Sequence, residues 1–133
     1  MTERTFKAEE QRIHEVTEFV NALLAELNCS PKVRSQIDVA IDEMFCNIAR
    51  YAYPDGAGSV VVQVDADGDT AVLTFIDGGV PFDPLTRKAP DVTLSAEERE
   101  IGGLGIFLTR KLMDEVRYRR EDGRNILTLR KRL

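Results

Sequence analysis

The sequence predicts an α/β fold, a two-layer sandwich in which a mixed, mostly antiparallel sheet is covered on one face by helices. Two pairs of apolar segments are each joined by a short turn, which is typical of antiparallel hairpins. Three other segments carry apolar residues at helical spacing, so each needs a surface to pack against. A chain of 133 residues suits one core, and we expect a single domain over residues 1–133.

The composition indicates a globular protein and argues against several functional classes. Hydrophobic residues make up 43% of the chain, and the net charge of −5 argues against direct binding to nucleic acid. No apolar run approaches the roughly 18 residues of a membrane helix, and residues 1–10 lack the apolar centre of a secretory signal. We therefore expect a cytoplasmic protein that does not enter a membrane. Cys29 and Cys46 are expected to be free thiols.

The first half of the chain is expected to form a short strand and two helices. The strand would cover residues 5–8, and apolar residues recur at helical spacing over residues 9–28. Ser30 can cap a second helix by accepting a free N–H group, and Pro31 suits the first helical position. Proline and glycine in residues 53–58 end this helix.

The second half is expected to form two antiparallel hairpins with a helix between them. In each hairpin, a turn rich in aspartate and glycine separates two β-branched or apolar runs. The four strands are predicted at residues 59–65, 70–77, 115–121 and 124–131. Residues 78–101 lack periodicity, and so long a loop in a compact domain usually has a function. The helix is predicted at residues 106–114.

The last hairpin carries a basic cluster between Arg117 and Arg132. Such a cluster could contact a polyanion or an acidic protein surface. The interpretation that we favour is a solvated strand whose charges protect a sheet edge from aggregation.

Two polar residues on the predicted second helix could form a small metal-binding site. Glu43 and Asn47 are spaced i to i+4, so their side chains project as neighbours on the flank of the buried face. Their oxygens suit Mg²⁺, and a carboxylate there could also orient or deprotonate an attacking hydroxyl. Taken alone, such a pair is more often part of a solvated helix face.

Two glycine-containing segments could bind the other parts of a nucleotide. Asp77 ends an apolar strand and can accept a hydrogen bond from a base amino group, while Gly79 lets the backbone approach a flat ring. Gly102-Gly103-Leu104-Gly105 precedes a helix whose free N–H groups suit phosphate. In isolation, the first segment is more often a tight turn, and glycines at a helix start are more often structural.

The order and spacing of these motifs resemble those of the Bergerat-fold, or GHKL, ATPases. The motifs are Glu43-x-x-x-Asn47 on a helix, Asp77-x-Gly79 at a strand end and Gly102-x-x-Gly105 before a helix. They are similar to the N, G1 and G2 boxes of that superfamily. Within it, residues 47–54 and 102–108 are most similar to the anti-sigma factor serine kinases of bacterial partner-switching systems. Residues 1–133 would then be one histidine-kinase-like ATPase domain with the Bergerat-type fold.

The resemblance implies a role for each motif residue. Glu43 would be the catalytic general base or hydroxyl-orienting residue, and Asn47 would be the Mg²⁺ ligand in the ATP site. Asp77 would receive the adenine amino group, with Gly79 lining the base pocket. The ATP lid would be residues 83–101. Phosphates would be bound by Gly102, Gly103, Leu104 and Gly105.

The resemblance also implies an activity and partners. Family members phosphorylate a serine on a small anti-anti-sigma protein of the STAS type, and many also sequester a sigma factor, commonly as homodimers. The chain would therefore be an ATP-dependent protein serine/threonine kinase.

Two features depart from the family pattern. The family often has an arginine or serine before the lid glycines that can serve the γ-phosphate, whereas Ile101 stands here and the nearest candidate is Arg99. A threonine that commonly approaches adenine from a late strand is not evident, and no residue of 124–128 is assigned to the site. The first departure favours an alternative function, a nucleotide-controlled protein-binding module with little or no transfer. His14 is expected on a solvated helix face.

Overall fold

Five strands and three α-helices make up the two layers of the computed structural model, which describes residues 1–86 and 103–133. The strands are β1 (Thr2–Lys7), β2 (Ser59–Asp67), β3 (Thr70–Asp77), β4 (Glu115–Glu121) and β5 (Arg124–Arg132). The helices are α1 (Ile13–Glu26), α2 (Pro31–Tyr51) and α3 (Gly103–Leu112). Short 3-10 turns at Glu10–Arg12 and Pro84–Thr86 precede α1 and follow β3.

The sheet has the strand order β1-β2-β3-β5-β4, and each neighbouring pair of described strands is antiparallel. Both predicted hairpins form, with positive φ angles at Gly68, Asp122 and Gly123 in their turns. The pairing of β3 with β5 places Asp77 opposite Asn125. The predicted, mostly antiparallel sheet is confirmed, and the end of one central strand meets the start of another.

The core lies between the helices and one face of the sheet. Along β3 the side chains alternate between buried and partly exposed. The buried set of the inner strands belongs to the same apolar cluster as the buried faces of α1 and α2. Its helical members include Val16, Val20, Leu24, Ile37, Ile41 and Phe45. The predicted two-layer sandwich with helices on one face is therefore confirmed.

Helix α2, which carries the first motif, begins as the sequence predicted. Ser30 Oγ accepts the N–H of Val33 at 3.3 Å, and Pro31 occupies the first helical position. The helix ends at Tyr51, just before the segment rich in proline and glycine. Its second half places Asn47 in a cavity that is also lined by the end of β3 and the start of β5.

Two elements near the N-terminus differ from prediction in their bounds. Strand β1 is longer than the predicted residues 5–8, because its backbone pairs with β2 from Thr2 to Lys7. Phe6 is its one buried side chain. A hydrophobic pattern cannot reveal the full length of such a strand. Helix α1 is shorter than predicted, since residues 10–12 form a 3-10 turn and Asn28 adopts a φ of 57°.

Helix α3 begins three residues earlier and ends two residues earlier than the predicted 106–114. Gly103, Leu104 and Gly105 therefore belong to its first turn rather than to a loop before it. The helix ends early because the N–H of Asp114 pairs with the carbonyl of Arg130 in β5 at 2.9 Å.

The basic cluster of the last hairpin is largely paired with neighbouring carboxylates. Arg117 pairs with Glu115, and Arg130 pairs with both Asp67 and Glu115. These charges lie on or beside β4, which is an edge strand. The arrangement favours the solvated, protected edge over a polyanion site.

Three further observations concern the rest of the described residues. None of the helices within them has the length and apolar character needed to cross a membrane. Cys29 and Cys46 are free, and His14 is exposed on α1.

Candidate functional site

A cavity opens between the second half of α2 and the meeting point of β3 and β5. Its wall contains residues from both layers: Met44, Asn47, Ile48, Ala52, Asp77, Phe82, Pro84, Tyr118, Asn125 and Leu127. The lining is mostly apolar, with a few polar groups, as is usual for a small-molecule site. Asn47 and Asp77, which are 30 positions apart in the sequence, thus line one cavity.

Asn47, which lines this cavity, has an unused acceptor. Its side chain is 2% exposed, and its Nδ2 donates to the carbonyl of Glu43 at 2.6 Å. Its Oδ1 is buried and has no hydrogen-bond partner among the described residues. Because a buried amide oxygen without a partner is costly, this atom fits a role as a ligand of a hard cation such as Mg²⁺.

Glu43 lies one turn before Asn47 and faces the start of α3. A Cβ built on Gly105 would overlap the Glu43 carboxylate and come within 2.8 Å of Cγ. A side chain at position 105 would therefore displace the Glu43 carboxylate. Burial, followed by the neighbouring charge of Asp42, raises the pKa of the Glu43 carboxyl, while Arg50 acts in the opposite direction.

Asp77 is held through one of its two carboxylate oxygens. Its Oδ1 accepts the N–H of Gly79 at 2.9 Å and the Nδ2 of Asn125 at 2.9 Å. The side chain is 4% exposed, and among the described residues no hydrogen bond to Oδ2 is seen. One acceptor oxygen therefore remains available at the cavity wall.

Position 79 needs a glycine for a different reason from the one that the sequence suggested. Its missing Cβ would lie 2.6 Å from the carbonyl carbon of Ala52, and the next N–H, of Val80, donates to the Ala52 carbonyl at 2.8 Å. The glycine allows the end of α2 to approach this segment, and Gly79 is not among the residues that line the cavity. A role in contacting a base remains a prediction.

The sequence did not predict the parts that Asn125 and Tyr118 play. Both line the cavity, and Tyr118 Oη donates to Asn125 Oδ1 at 2.6 Å. Phe82, also in the wall, stacks on Tyr51 with ring centroids 5.5 Å apart. The only local signal in the sequence was the polar residue Asn125 near the start of β5. Such a residue is equally typical of the preceding turn.

Parts of the predicted site lie outside the described part of the chain. They are Gly102 and residues 87–101, which make up most of the predicted lid and include Arg99 and Ile101. Of the lid, the 3-10 turn Pro84–Thr86 is described, and Pro84 lines the cavity. Gly103 and Leu104 lie in the first turn of α3.

The fold is that of an α/β domain built like the catalytic domains of histidine kinases. The catalytic domain of histidine kinase ThkA superposes with a TM-score of 0.56 at 13% identity, over 99% of this chain and 97% of that one. The RsbU and RsbW domains of Rv1364c from Mycobacterium tuberculosis superpose with a TM-score of 0.64 at 20% identity, over 100% of this chain and 33% of that one. At these identities the likeness establishes the fold alone.

The chain belongs to the histidine kinase-like ATPase domain family, whose profile matches residues 6–131. The predicted resemblance to Bergerat-fold ATPases is thereby confirmed.

Two relatives are named protein kinases. Serine-protein kinase RsbW of Bacillus cereus is 30% identical over 93 residues, which cover 67% of this chain and 58% of that protein. Serine/threonine-protein kinase BtrW of Bordetella bronchiseptica is 29% identical over 101 residues, 75% and 71% of the two chains. The match thus spans less than two thirds of the RsbW relative's length.

Proposed function

We propose that this chain is a cytoplasmic, Mg-ATP-dependent protein serine/threonine kinase that phosphorylates a small STAS-type anti-anti-sigma protein. The observation that carries the proposal is that Asn47 and Asp77 line one largely apolar cavity, and that one side-chain oxygen of each has no hydrogen bond among the described residues. Membership of an ATPase domain family and the names of two relatives support it. Sequestration of a sigma factor and assembly as a homodimer are further parts of the proposal that rest on the resemblance.

Each site residue has a role in this proposal. Asp77 accepts the adenine amino group through Oδ2, and the apolar wall around Leu127 encloses the ring. Asn47 Oδ1 holds Mg²⁺, which when bound neutralises phosphate charge and polarises the transferred group. Free N–H groups of the first turn of α3, at Gly103, Leu104 and Gly105, bind phosphate oxygens together with Gly102.

Glu43 acts on the protein substrate. Its carboxylate orients the serine hydroxyl and accepts its proton as the hydroxyl oxygen bonds to the γ-phosphorus and the bond to the β–γ bridging oxygen breaks. Contact with Gly105 keeps this carboxylate beside the phosphate-binding turn. A raised pKa is compatible with a residue that must take up a proton.

The alternative is a nucleotide-controlled binding module with little or no phosphoryl transfer. It is favoured by Ile101, which offers no side-chain donor to a γ-phosphate. Single-turnover assays with radiolabelled ATP and a purified partner distinguish the two. The kinase forms phosphoserine, whereas the module changes its partner affinity with nucleotide and leaves the partner unmodified.

Calorimetric titration with ATP tests the metal-binding part of the proposal. Wild-type protein is expected to bind ATP at least tenfold more tightly with Mg²⁺ than with EDTA, and Asn47→Ala should lose most of this difference because it lacks the Oδ1 ligand. An Asn47→Ala protein that keeps the full Mg²⁺ dependence would remove Asn47 from this role. Absence of saturation at millimolar ATP in the wild type would overturn the whole proposal.

Gly105→Ala is expected to impair transfer more than stability. The added Cβ overlaps the movable end of Glu43, so the carboxylate must swing away while the backbone N–H that binds phosphate is kept. We expect about 10²-fold slower transfer, as for a displaced catalytic group. In a Glu43→Ala background the same change should cost nothing further. Additive losses would show that the glycine acts independently of Glu43.

A further inference from the structure

One polar side chain beside the cavity uses all of its hydrogen-bonding capacity. Asn125 is 4% exposed, and its amide makes four bonds with described residues. Nδ2 donates to Asp77 Oδ1 at 2.9 Å and to the carbonyl of Val80 at 2.8 Å. Oδ1 accepts the N–H of Phe82 at 3.3 Å and the hydroxyl of Tyr118 at 2.6 Å. Two donors and two acceptor lone pairs are thus all engaged.

The backbone determines the orientation of this amide. The N–H of Phe82 can only donate, and the carbonyl of Val80 can only accept. A flipped amide would place donor against donor and acceptor against acceptor. Nδ2 must therefore face Asp77, whose Oδ1 must act as an acceptor.

The fixed orientation of Asn125 determines which oxygen of Asp77 can contact a ligand. Asp77 Oδ1 already accepts from the N–H groups of Gly79 and Asn125, so these two bonds fix the orientation of the carboxylate. Oδ2 has no hydrogen bond among the described residues, and Asp77 lines the cavity, so this oxygen is the one left to accept from a ligand. The same amide ties residues 80 and 82 to β5, and Arg120 Nη1 adds a bond to the Gly79 carbonyl at 2.8 Å.

We propose that Asn125 is a specificity-determining positioning residue, which fixes Asp77 so that the pocket selects a base with an exocyclic amino group and rejects one with an oxo group. The proposal rests on the proposed function, in which the pocket takes a purine nucleoside triphosphate. It adds that selectivity depends on the donor that Asn125 directs at Asp77. Without that donor the carboxylate can rotate, and its hydrogen bond to an exocyclic amino group becomes weaker, so the preference over a 6-oxo base falls.

The affinities of three nucleotides that share ribose and triphosphate distinguish the proposed role of Asn125 from general stabilisation of the fold. They are ATP with a 6-amino group, purine riboside triphosphate with hydrogen at that position, and inosine triphosphate (ITP) with a 6-oxo group. Wild-type protein should bind them in the order ATP, purine, ITP, with at least tenfold between the first and the last. Equal affinity for the purine and 6-oxo nucleotides would overturn the proposal without any variant.

Asn125→Asp and Asn125→Ala provide the second arm. The aspartate is isosteric but replaces the donor with an oxygen, and the alanine removes all four bonds. Both should lower the ATP-to-ITP affinity ratio at least fivefold, whereas general loss of structure would weaken the two nucleotides equally. A wild-type ratio in both variants would refute the role of Asn125 and leave ATP binding intact. Failure of the wild type to bind any of the three would instead refute the proposed function.

Discussion

Glu43→Gln is expected to slow phosphoryl transfer to the partner by about 10²–10⁴-fold while Mg-ATP affinity changes less than about threefold. Glutamine fills the same space against Gly105 but cannot accept the serine proton. Its neighbour Asp42 offers a matched control, because Asp42→Asn makes the same charge change on an exposed side chain of α2. Single-turnover rates at saturating ATP measure both.

The Asp42→Asn control shows whether the loss of transfer rate in Glu43→Gln is specific to that carboxylate. Asp42→Asn should retain nearly the wild-type rate, since its carboxylate acts on Glu43 only through its charge. Equal losses in both variants would point to the overall charge of α2, and an unchanged rate for Glu43→Gln would remove Glu43 from the chemistry.

Gly79→Ala is expected to have the largest effect on folding, about 3 kcal/mol of unfolding free energy, near the upper end of overpacking costs. Its Cβ would meet the backbone of Ala52 at the end of α2, which cannot move aside as a flexible side chain can. The same shift would disturb the N–H bond from Gly79 to Asp77, so ATP affinity should also fall.

Gly78→Ala is the adjacent control. A Cβ there would have Tyr53 Oη at 3.9 Å as its nearest neighbour, which is ordinary contact, so the change should cost less than about 0.5 kcal/mol. Urea denaturation followed by circular dichroism measures both free energies. A Gly79→Ala protein as stable as Gly78→Ala would contradict the close packing of this segment on α2.

Local signals in the sequence were sufficient for most of the fold. Hairpin turns, the Ser30 cap and apolar stripes each act within a few residues of the element that they define. The spacing of Glu43 and Asn47 likewise determines that they share one side of a helix. These features were predictable because the interactions that produce them join residues that are close together in the sequence.

The remaining features depend on contacts between distant segments. β1 is held by pairing with β2, and the pairing of β3 with β5 brings Asn125 to Asp77 across 48 positions. The meeting of Gly105 with Glu43 is also non-local and explains why a glycine lies inside the first turn of α3. None of these contacts leaves a pattern in neighbouring residues, so the network around Asp77 could not be read from the sequence.

A crystal structure with a non-hydrolysable ATP analogue and Mg²⁺ tests the central claim most directly. The claim predicts that the base lies in the cavity with its amino nitrogen about 3 Å from Asp77 Oδ2. It also predicts the metal at about 2.1 Å from Asn47 Oδ1. A nucleotide bound elsewhere, or one in this cavity that contacts neither oxygen, would contradict it.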